Sequence, residues 1–191
     1  GFFTFDGSVA TEIPCEVSDY VFDDMNHANI TKVYAVHNSQ HSEIWWFYPS
    51  GTSIENDRYV ALDYKEGHWT TGELDRTAGV DQGVFNNPIW ADASGNLYNQ
   101  ETGYTHTGSS KPYAESGSIS LGNGDSIMKV TQLIPDEKTQ GQVEVTFKTR
   151  FYPNDSETSH GAFTLGNPTD VRFQGRQVRI KVQGTGNDNW R

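Results

Sequence analysis

The sequence predicts an all-β protein with one short helix near its N-terminus. Its 191 residues include 13% aromatic residues and 19 glycines, while apolar residues of all kinds make up only 34%. Short β-branched and aromatic runs alternate with polar turn residues along most of the chain, which is typical of strands joined by tight turns. The aromatic content also argues against a disordered chain. We therefore expect propeller-like blades followed by an antiparallel sheet or sandwich.

The first thirty residues predict a β-hairpin followed by the helix. Residues 2–9 contain a strand and an Asp-Gly turn, and a second strand runs on to Ile13. We interpret this hairpin as the closing part of a preceding propeller blade. The helix is predicted over residues 18–29, with Ser18 or Asp19 as its N-cap and acidic side chains in its first turn.

The segment from residue 32 to residue 74 carries the strongest fold signal in the chain. It contains β-branched and aromatic runs separated by polar turns, at residues 33–36, 43–49, 58–64 and 68–74. Four strands within about forty positions are typical of one β-propeller blade. A blade cannot bury both of its faces alone, so this segment predicts a larger ring or a multi-chain assembly.

Partial blades are predicted on either side of this full blade. Residues 88–92 and 96–101 form a second, incomplete set of strands around a Ser-Gly-Asn turn. Residues 108–112 have the composition of a linker. We therefore divide the chain into a propeller-like region, residues 1–108, and an antiparallel β domain, residues 109–191.

The second region predicts an antiparallel sheet or a small sandwich. Apolar and polar residues alternate from Val143 to Lys148, so one face of that strand is expected to be buried and the other wet. A tight turn is predicted at residues 122–125, where Gly and Asn cluster. The strand-like runs cover residues 117–121, 125–134, 142–152 and 171–183.

The charge of the chain bears on its partners. The formal net charge is −11, and such a surface repels phosphate groups, so nucleic acid is not an expected partner. One run lacks acidic residues and is interpreted as an interaction strand; its basic residues are Arg172, Arg176, Arg179 and Lys181. We expect these cations to meet an acidic neighbour, and a nucleic-acid groove is the alternative.

Redox and targeting signals are sparse. Cys15 is the single cysteine, so no disulfide can form within the chain, and no catalytic signature links it to a histidine. No run approaches the length of a membrane helix, and no N-terminal segment resembles a signal peptide. We therefore expect no membrane partner and no cofactor.

Three places suggest metal ligands without completing a site. Asp23 and His27 would share one helix face, and His37 and His41 flank a turn. Residues 92–96 resemble a calcium loop but lack the ligand spacing and the terminal Glu of an EF-hand. No metal is therefore expected.

Aromatic residues of the full blade are the main candidates for a functional surface. Because consecutive residues of a strand point to opposite faces, Trp45 and Phe47 are expected on one side, and Trp46 and Tyr48 on the other. A packed aromatic ring buries ~150–250 Å², whereas a sugar platform needs several rings on one face. Packing between sheets is therefore favoured over sugar binding, and the proposed packing residues are Trp45, Trp46, Phe47, Tyr48 and Trp69.

A glycan-degrading enzyme would need two carboxylates about 5–9.5 Å apart. The candidates in the first half of the chain are Glu43, Glu55, Asp57, Asp63, Asp75 and Asp81. Acidic residues are abundant here, so we expect loop hydrogen bonds and ion pairs, with Arg58 and Arg76 as partners. No catalytic residue is assigned.

Several segments taken together resemble one group of proteins. The aromatic run at residues 43–50 is followed by Glu-Asn-Asp-Arg-Tyr-Val at residues 55–60, and residues 172–177 read Arg-x-x-Gly-Arg-Gln. Further matching positions are Trp69, Gly72, Leu74, residues 76–78, Pro88, Ile89, Gly95, Tyr98, Glu101 and Gly103. These segments resemble uncharacterised virion structural proteins of tailed bacteriophages and prophages, of the propeller-bearing tail or head-to-tail stabilisation type.

The resemblance implies a non-enzymatic structural protein of the virion, assembled in the host cytoplasm and acting through protein–protein contacts. Its expected partners are other virion proteins or copies of itself, with a host surface glycan as a further candidate. Members of the group are usually longer than 191 residues, so the chain would hold the C-terminal part of a propeller and an appended β domain. A carbohydrate-binding module is the alternative, and a glycan-degrading tail enzyme comes after it.

Overall fold

A computed structural model describes residues 1–103, 111–120, 126–135 and 142–186. It confirms a mainly β protein, because the described residues form several antiparallel sheets with one α-helix and one 3₁₀ helix. The chain divides into two compact units, Gly1–Gly103 and Tyr104–Arg191. The linker predicted at residues 108–112 begins outside the described residues, and the domain boundary placed there stays a prediction. The sheets that are described do not close into a ring of blades.

The first unit begins with the predicted hairpin. Strands β1 (Phe2–Phe5) and β2 (Ala10–Ile13) pair in antiparallel fashion. The Asp6 carboxylate closes the turn between them, since it accepts the backbone N–H groups of Ser8 and Val9 at 2.8 and 2.9 Å. Short polar side chains that bond to the backbone in this way are what make Asp-Gly a turn signal.

The helix predicted over residues 18–29 is shorter than expected. Helix α1 covers Ser18–Asp24, and a separate 3₁₀ helix covers His27–Lys32. The N-cap position is Val17, which makes no side-chain capping bond, so neither Ser18 nor Asp19 is the N-cap.

A contact with a distant segment ends the helix early. The backbone N–H of Asn26 donates to the carbonyl of Pro49 at 2.8 Å, and the Asn26 side chain accepts the N–H of Ala28 at 3.1 Å. The chain between the two helices is therefore extended. Local helix propensity could not reveal this interruption, because the bond to Pro49 is a tertiary contact.

The full blade predicted at residues 32–74 is a four-stranded antiparallel meander, here called the central sheet. Its strands are β3 (Tyr34–Asn38), β4 (Glu43–Tyr48), β5 (Arg58–Asp63) and β6 (His68–Glu73). Each strand pairs with the next along the chain. The turn after β5 is closed by Asp63, which accepts the N–H groups of Glu66 and Lys65, and these bonds lower the pKa of Asp63.

Three short strands form a second antiparallel sheet, here called the flanking sheet. They are β7 (Ala78–Val80), β8 (Ile89–Ala91) and β9 (Leu97–Asn99), in that order. Strands β8 and β9 lie within predicted runs, but the sequence does not predict β7, because three residues carry no readable period. Gly79 stands directly opposite Trp90, and a Cβ at Gly79 would lie 2.4 Å from Trp90 Cδ1.

The described residues of the second unit form two sheets. Their strands are β10 (Tyr113–Glu115), β11 (Ile119–Ser120), β12 (Met128–Leu133), β13 (Val143–Arg150), β14 (Thr158–Thr164), β15 (Thr169–Gly175) and β16 (Gln177–Gly184). The larger sheet has the order β10-β16-β13-β14, and β11 also pairs with β16. The smaller sheet contains β12 and β15. The turn predicted at residues 122–125 lies outside the described residues.

The two sheets of this unit enclose one apolar core. Val143, Val145 and Phe147 of β13 are buried, and they pack with Val171 and Phe173 of β15. The polar residues between them on β13 are only partly buried. The structure therefore confirms the predicted alternation in this strand and the antiparallel character of the unit, whose two described sheets share this core.

Two features of this unit differ from the sequence prediction. The single strand predicted over residues 171–183 is wrong, because β15 and β16 meet at Arg176 and pair with different neighbours. The chain changes sheets at Gly175, where a Cβ would lie 2.9 Å from the Cβ of Thr149. The sequence also misses two strands of the larger sheet, the three-residue β10 and β14, a mostly exposed strand at the sheet edge that contains Gly161.

Candidate functional site

The predicted aromatic packing residues lie on both faces of the central sheet. On one face, Phe47 is fully buried and packs with Trp45 and Val36. Trp90 of the flanking sheet covers this face, with its ring centroid 5.2 Å from that of Trp45 and 5.5 Å from that of Phe47. The rings of Trp45 and Tyr59 stack at 4.3 Å. The flanking sheet thus packs face to face on the central sheet.

The opposite face is covered by the N-terminal hairpin and helix α1. Trp46 and Trp69 stack at 5.9 Å, and Phe2 of β1 lies 5.1 Å from the Trp46 ring and 4.7 Å from the Trp69 ring. Val21 of α1 and Tyr48 belong to the same buried cluster. The structure therefore places Trp45 on one side and Trp46 with Trp69 on the other, and the three do not share a surface.

An apolar cavity of about 380 Å³ opens beside the second aromatic cluster. Its walls include Phe3, Phe22, Ile30 and Trp46, and none of the described residues that line it is acidic. Tyr48 also borders this cavity, and burial raises the pKa of its hydroxyl. A sugar needs polar partners around its hydroxyl groups, so these walls suit apolar packing better than glycan binding.

Most of the acidic residues considered for glycan hydrolysis have a structural partner nearby. Glu55 pairs with Lys32 at 2.6 Å, and the Asp57 carboxylate accepts the N–H and the hydroxyl of Ser50. Asp63 closes the turn after β5. These carboxylates hold the loops of the central sheet in place.

Two further carboxylates of the first unit pair with arginine side chains. Arg58 pairs with Glu73 at 3.0 Å, and Arg76 pairs with Asp75 at 3.0 Å. The Arg76 guanidinium is buried and also lies 4.2 Å from the centroid of the Tyr98 ring. These contacts agree with the structural interpretation of the charged motifs around Arg58 and Arg76.

The turn between β3 and β4 holds a polar cluster that the sequence does not predict. Asn38 is fully buried, and its Nδ2 donates to Glu101 Oε1 at 3.0 Å and to Glu43 Oε2 at 3.3 Å. Glu43 Oε2 also accepts a hydrogen bond from Trp45 Nε1 at 2.8 Å, and His41 Nε2 lies 3.2 Å from Glu101 Oε2. We call Asn38, His41, Glu43 and Glu101 the turn cluster.

The backbone is unusual at the same place. Among the residues that the structure describes, the non-glycine residues with a left-handed φ are Ser42, at 62°, and Glu101, at 57°. This region is costly for side chains other than glycine and is favoured at functional sites that the surrounding structure holds in place. No local sequence signal marks Glu101, because its contact with Asn38 spans 63 positions.

The residues considered as metal ligands do not converge. His37 Nδ1 lies 2.9 Å from Asp81, whereas His41 approaches Glu101, so the two histidines have different partners. His27 begins the 3₁₀ helix rather than continuing α1, which removes its predicted alignment with Asp23. Within residues 1–103, 111–120, 126–135 and 142–186, no group of three or more His, Cys, Asp and Glu side chains could hold a metal.

The segment that resembles a calcium loop is a turn closed by its own aspartate. The Asp92 carboxylate accepts hydrogen bonds from the Asn96 side chain, the Tyr98 hydroxyl and the N–H groups of Ser94 and Asn96. The bond from the Asn96 side chain contributes most to lowering the pKa of Asp92, to about 2. This carboxylate is therefore committed to internal donors.

The four basic residues of the predicted interaction strand do not form one surface. Arg172 lies on β15 and points away from the core, beside Lys129 at a polar groove of about 210 Å³. Arg179 and Lys181 lie on β16, in the other sheet of the sandwich. Arg176 lies between the two strands. The prediction of a single basic strand is corrected for this reason.

The acidic neighbour expected for these cations lies within the same unit. Arg179 contacts Glu115 at 2.8 Å and Glu157 at 3.4 Å, and Lys148 contacts Glu115 at 2.8 Å. Lys181 lies 4.3 Å from the centroid of the Tyr113 ring. Internal contacts therefore account for the basic side chains of β16.

The contribution of Glu115 to the stability of the second unit is expected to be larger at neutral pH than at acidic pH. Lys148 and Arg179 stand directly opposite each other in the β13–β16 ladder, and Glu115 joins both. The hydrogen bond from Lys148 is the largest cause of the lowered pKa of Glu115. Its contribution is therefore fully present above the usual glutamate pKa of about 4.3 and is lost as the pH falls through the lowered value.

We predict that Glu115→Gln lowers the free energy of unfolding by about 1–3 kcal/mol at pH 7, the usual worth of hydrogen bonds to charged groups. Urea denaturation followed by circular dichroism, at pH 7 and pH 3, measures this. The variant should lose less stability on acidification than the parent chain. Glu144→Gln removes a carboxylate from strand β13 of the same sheet and is the matched control. Equal effects of the two variants would contradict the role assigned to Glu115.

Comparison with known proteins does not identify a family. The chain matches no family model and no curated protein. No helix in the described part of the chain is long and apolar enough to cross a membrane.

Proposed function

We propose that this chain is a structural subunit of a tailed-bacteriophage virion, in the tail or the head-to-tail region. It acts by protein–protein assembly and carries out no catalytic step. The observation that carries the proposal is the flanking sheet, which has apolar side chains on both of its faces. The resemblance to virion proteins suggests that the chain belongs to a virion. The exposed face of the flanking sheet suggests that it acts by binding other protein chains.

One face of the flanking sheet is already used within the first unit. Gly79, Trp90 and Tyr98 stand opposite one another across β7, β8 and β9, so they share this face. Trp90 is buried against the central sheet. The alternating residues of the three strands must therefore point the other way.

That other face is apolar and open to solvent. Five of its six residues are apolar; the six are Ala78, Val80, Ile89, Ala91, Leu97 and Asn99. Leu97 is 73% exposed and Val80 is 56% exposed. Contiguous exposed apolar patches on soluble proteins usually mark interaction sites. A further sheet packed on this face would repeat the contact that the central sheet makes on the first face.

The N-terminal hairpin presents a second apolar surface. Phe2 points into the core of the first unit, so Phe3 and Phe5 lie on the opposite side of β1. Phe3 is 59% exposed and Phe5 is 70% exposed. The two elements that cover the central sheet thus both carry uncovered apolar residues of their own.

A propeller-like arrangement explains these surfaces. A blade of a propeller is a four-stranded meander whose faces pack on the blades before and after it. The central sheet has this form and is covered on both faces. In our proposal residues 1–108 contain this full blade with a partial blade on either side, and residues 109–191 form the appended β domain. Further blades come from other parts of a longer protein or from other virion subunits.

The charge distribution suits such a subunit. Residues 1–103 contain 16 Asp and Glu but only four Lys and Arg, a net charge of −12, whereas residues 104–191 have a net charge of +1. A high net charge keeps proteins with exposed apolar faces soluble before they assemble. Assembly in the host cytoplasm and residence in the virion follow from the same proposal.

The geometry favours assembly over a host-glycan-binding module. Trp46 and Trp69 are partly exposed and stacked, which is the arrangement that sugars use. Phe2 packs against both rings, however, and the adjoining cavity is lined by apolar side chains. The residues that line this cavity are apolar apart from Tyr48, whereas a sugar needs several polar partners for its hydroxyl groups.

We predict that the purified chain associates through the exposed face of the flanking sheet. Light scattering over a range of concentrations should give a mass above the 21.4 kDa of one chain. Leu97→Asp should lower that mass, because it places a charge in the apolar face. Thr70→Asp, on the exposed side of β6, is the matched control and should leave the mass unchanged.

A folded chain that stays monomeric at every concentration would contradict assembly through this face. The virion setting has a separate test in the genome. Genes for portal and tail proteins beside the gene for this chain would support the virion setting. Their absence would contradict the virion setting but not assembly through the flanking sheet.

A further inference from the structure

We propose that Tyr64 is a covalent acceptor site for the acyl group of an uncharged activated ester. In this site His37 is the general base, and Asp81 is a positioning residue that orients His37. His37 Nδ1 lies 2.9 Å from Asp81 Oδ2, and His37 Nε2 lies 3.2 Å from the Tyr64 hydroxyl. A nucleophile, a base within hydrogen-bond reach of it and a third group that orients the base are the geometric signs of an activated nucleophile.

The Asp81 carboxylate is held in place by donors other than His37. Its Oδ1 atom accepts the N–H of Ser39 at 3.1 Å, the hydroxyl of Ser39 at 3.0 Å and the N–H of Gln82 at 2.7 Å. Partial burial raises the pKa of Asp81, but the hydrogen bonds from Ser39 and Gln82 outweigh it, so the pKa is lowered overall. Asp81 is therefore a fixed anion whose second oxygen, Oδ2, faces His37.

This carboxylate decides which nitrogen of His37 carries the proton. An ionised carboxylate only accepts hydrogen bonds, so Nδ1 must be the N–H group of the neutral imidazole. Nε2 then has a free lone pair, and the Tyr64 hydroxyl donates its hydrogen bond to it. The two rings also stack, with their centroids 5.8 Å apart. His37 is therefore arranged to take the proton of the Tyr64 phenol.

The site is accessible to a small molecule from solution. Tyr64 is 50% exposed, and the side chain of His37 is 46% exposed. Tyr64 follows β5 directly, and its backbone N–H donates to the carbonyl of Ser42 at 3.0 Å. The phenol is thus held by its own backbone and by His37, while half of the residue remains open to an electrophile.

The charges near the site favour an uncharged electrophile. Asp63 and Glu66 lie beside Tyr64 in the sequence and outnumber the one nearby cation, Lys65, and Asp81 lies beside His37. The first unit as a whole is strongly acidic. A phosphoryl donor such as a nucleoside triphosphate is a polyanion and would be repelled, whereas a neutral ester would not. Acyl transfer is therefore favoured over phosphoryl transfer.

The proposed step is one acyl transfer. As the phenol oxygen of Tyr64 forms a bond to the carbonyl carbon of the ester, its proton passes to His37 Nε2. The bond from that carbon to the leaving oxygen then breaks, and the leaving oxygen takes the electron pair and the proton from Nε2. Asp81 stabilises the imidazolium that exists between these two events. The products are an ester on Tyr64 and a free alcohol or phenol, and the chain is modified once without turnover.

Acetylation of the full chain by p-nitrophenyl acetate tests this proposal. The ester is uncharged, and mass spectrometry of peptides gives the rate of acetylation at each tyrosine. Tyr64 should be acetylated at least tenfold faster than Tyr20, which is 58% exposed in the same unit and has no described hydrogen bond to a histidine. A positioned general base usually contributes about 10²–10⁴-fold, so a tenfold difference is a low threshold.

Two variants separate an activated phenol from an exposed one. The three donors at Asp81 Oδ1 require an acceptor, so in Asp81→Asn the amide oxygen should stay there and the amide NH₂ group should face His37. His37 Nδ1 must then accept, which moves the proton to Nε2 and removes its lone pair. Asp81→Asn and His37→Gln should each slow the acetylation of Tyr64 at least tenfold and leave that of Tyr20 unchanged.

His27→Gln is the matched control, because it removes an exposed histidine of the same unit and should leave the rate at Tyr64 unchanged. Circular dichroism confirms that each variant is folded. Equal rates at Tyr64 and Tyr20 in the parent chain would overturn the proposal. So would folded Asp81→Asn and His37→Gln variants that acetylate Tyr64 at the parent rate. Neither result bears on assembly, which light scattering measures separately.

Discussion

Replacement of Phe47 with Ala is expected to lower the free energy of unfolding of the first unit by about 3–5 kcal/mol, the usual cost of removing a buried phenylalanine. Phe47 is fully buried between the central and flanking sheets. Its ring packs against Trp90 at 5.5 Å, Trp45 at 6.0 Å and Tyr59 at 6.3 Å. Neighbouring rings on a sheet face cannot collapse into the space without breaking their own contacts, so the cavity would persist.

Urea denaturation followed by tryptophan fluorescence measures this loss, since four of the five tryptophans lie in residues 1–103. Phe85→Ala is the matched control, because it removes the same group from a side chain that is 57% exposed. Its expected cost is within about 0.5 kcal/mol, as for most surface substitutions. Similar losses in the two variants would show that Phe47 does not join the two sheets.

Replacement of Gly79 with Ala is expected to cost about 1–3 kcal/mol or more, because the added methyl group overpacks the Trp90 ring on the face of the flanking sheet that lies against the central sheet. The added Cβ would lie 2.4 Å from Trp90 Cδ1 and 3.0 Å from Trp90 Cγ. Trp90 is 1% exposed, and its ring packs against those of Trp45 and Phe47, so a shift of Trp90 would disturb these contacts. The strand is also fixed, since the Tyr34 hydroxyl donates to the Gly79 carbonyl at 2.6 Å and accepts its N–H at 3.0 Å.

The same urea experiment tests this variant against Gly83→Ala. A Cβ at Gly83 would meet nothing within 4 Å, so this control should be close to neutral. Trp90→Phe should reduce the cost of Gly79→Ala, because a smaller ring leaves room for the methyl group, and a double-mutant cycle would reveal the coupling. A neutral Gly79→Ala variant, or purely additive effects, would rule out the close contact.

The sequence predicts the strands whose side chains alternate or are strongly aromatic. The four strands of the central sheet and strand β13 have this character, and the structure contains all of them. Strands β7 and β14 lack it, because a three-residue Ala-Gly-Val strand and a polar edge strand are stabilised by their neighbours rather than by their own propensity. The predicted helix is too long for the same reason, since the backbone N–H of Asn26 bonds to the carbonyl of Pro49 instead of continuing the helix.

Only part of the candidate site could be predicted from the sequence. The assignment of aromatic side chains to two faces follows from strand geometry, and the two clusters have that arrangement. The turn cluster depends instead on Glu101, which reaches Asn38 across 63 positions of sequence. The prediction of a single basic strand is wrong for a related reason. The chain passes from one sheet to the other between Arg172 and Arg179, at Gly175, which lies close to Thr149.

In the proposed assembly, the double-sided flanking sheet links the folding of this chain to the presence of its neighbours. Trp90 is anchored on one side of three short strands, while Leu97 on the other side remains in water. A neighbour that covers Leu97 binds only the native sheet, so it stabilises that sheet by mass action. If the assembly proposal holds, hydrogen exchange in β9 should be fast in the isolated chain and slow in the assembled state, and the sheet would serve as a checkpoint for correct addition of each subunit.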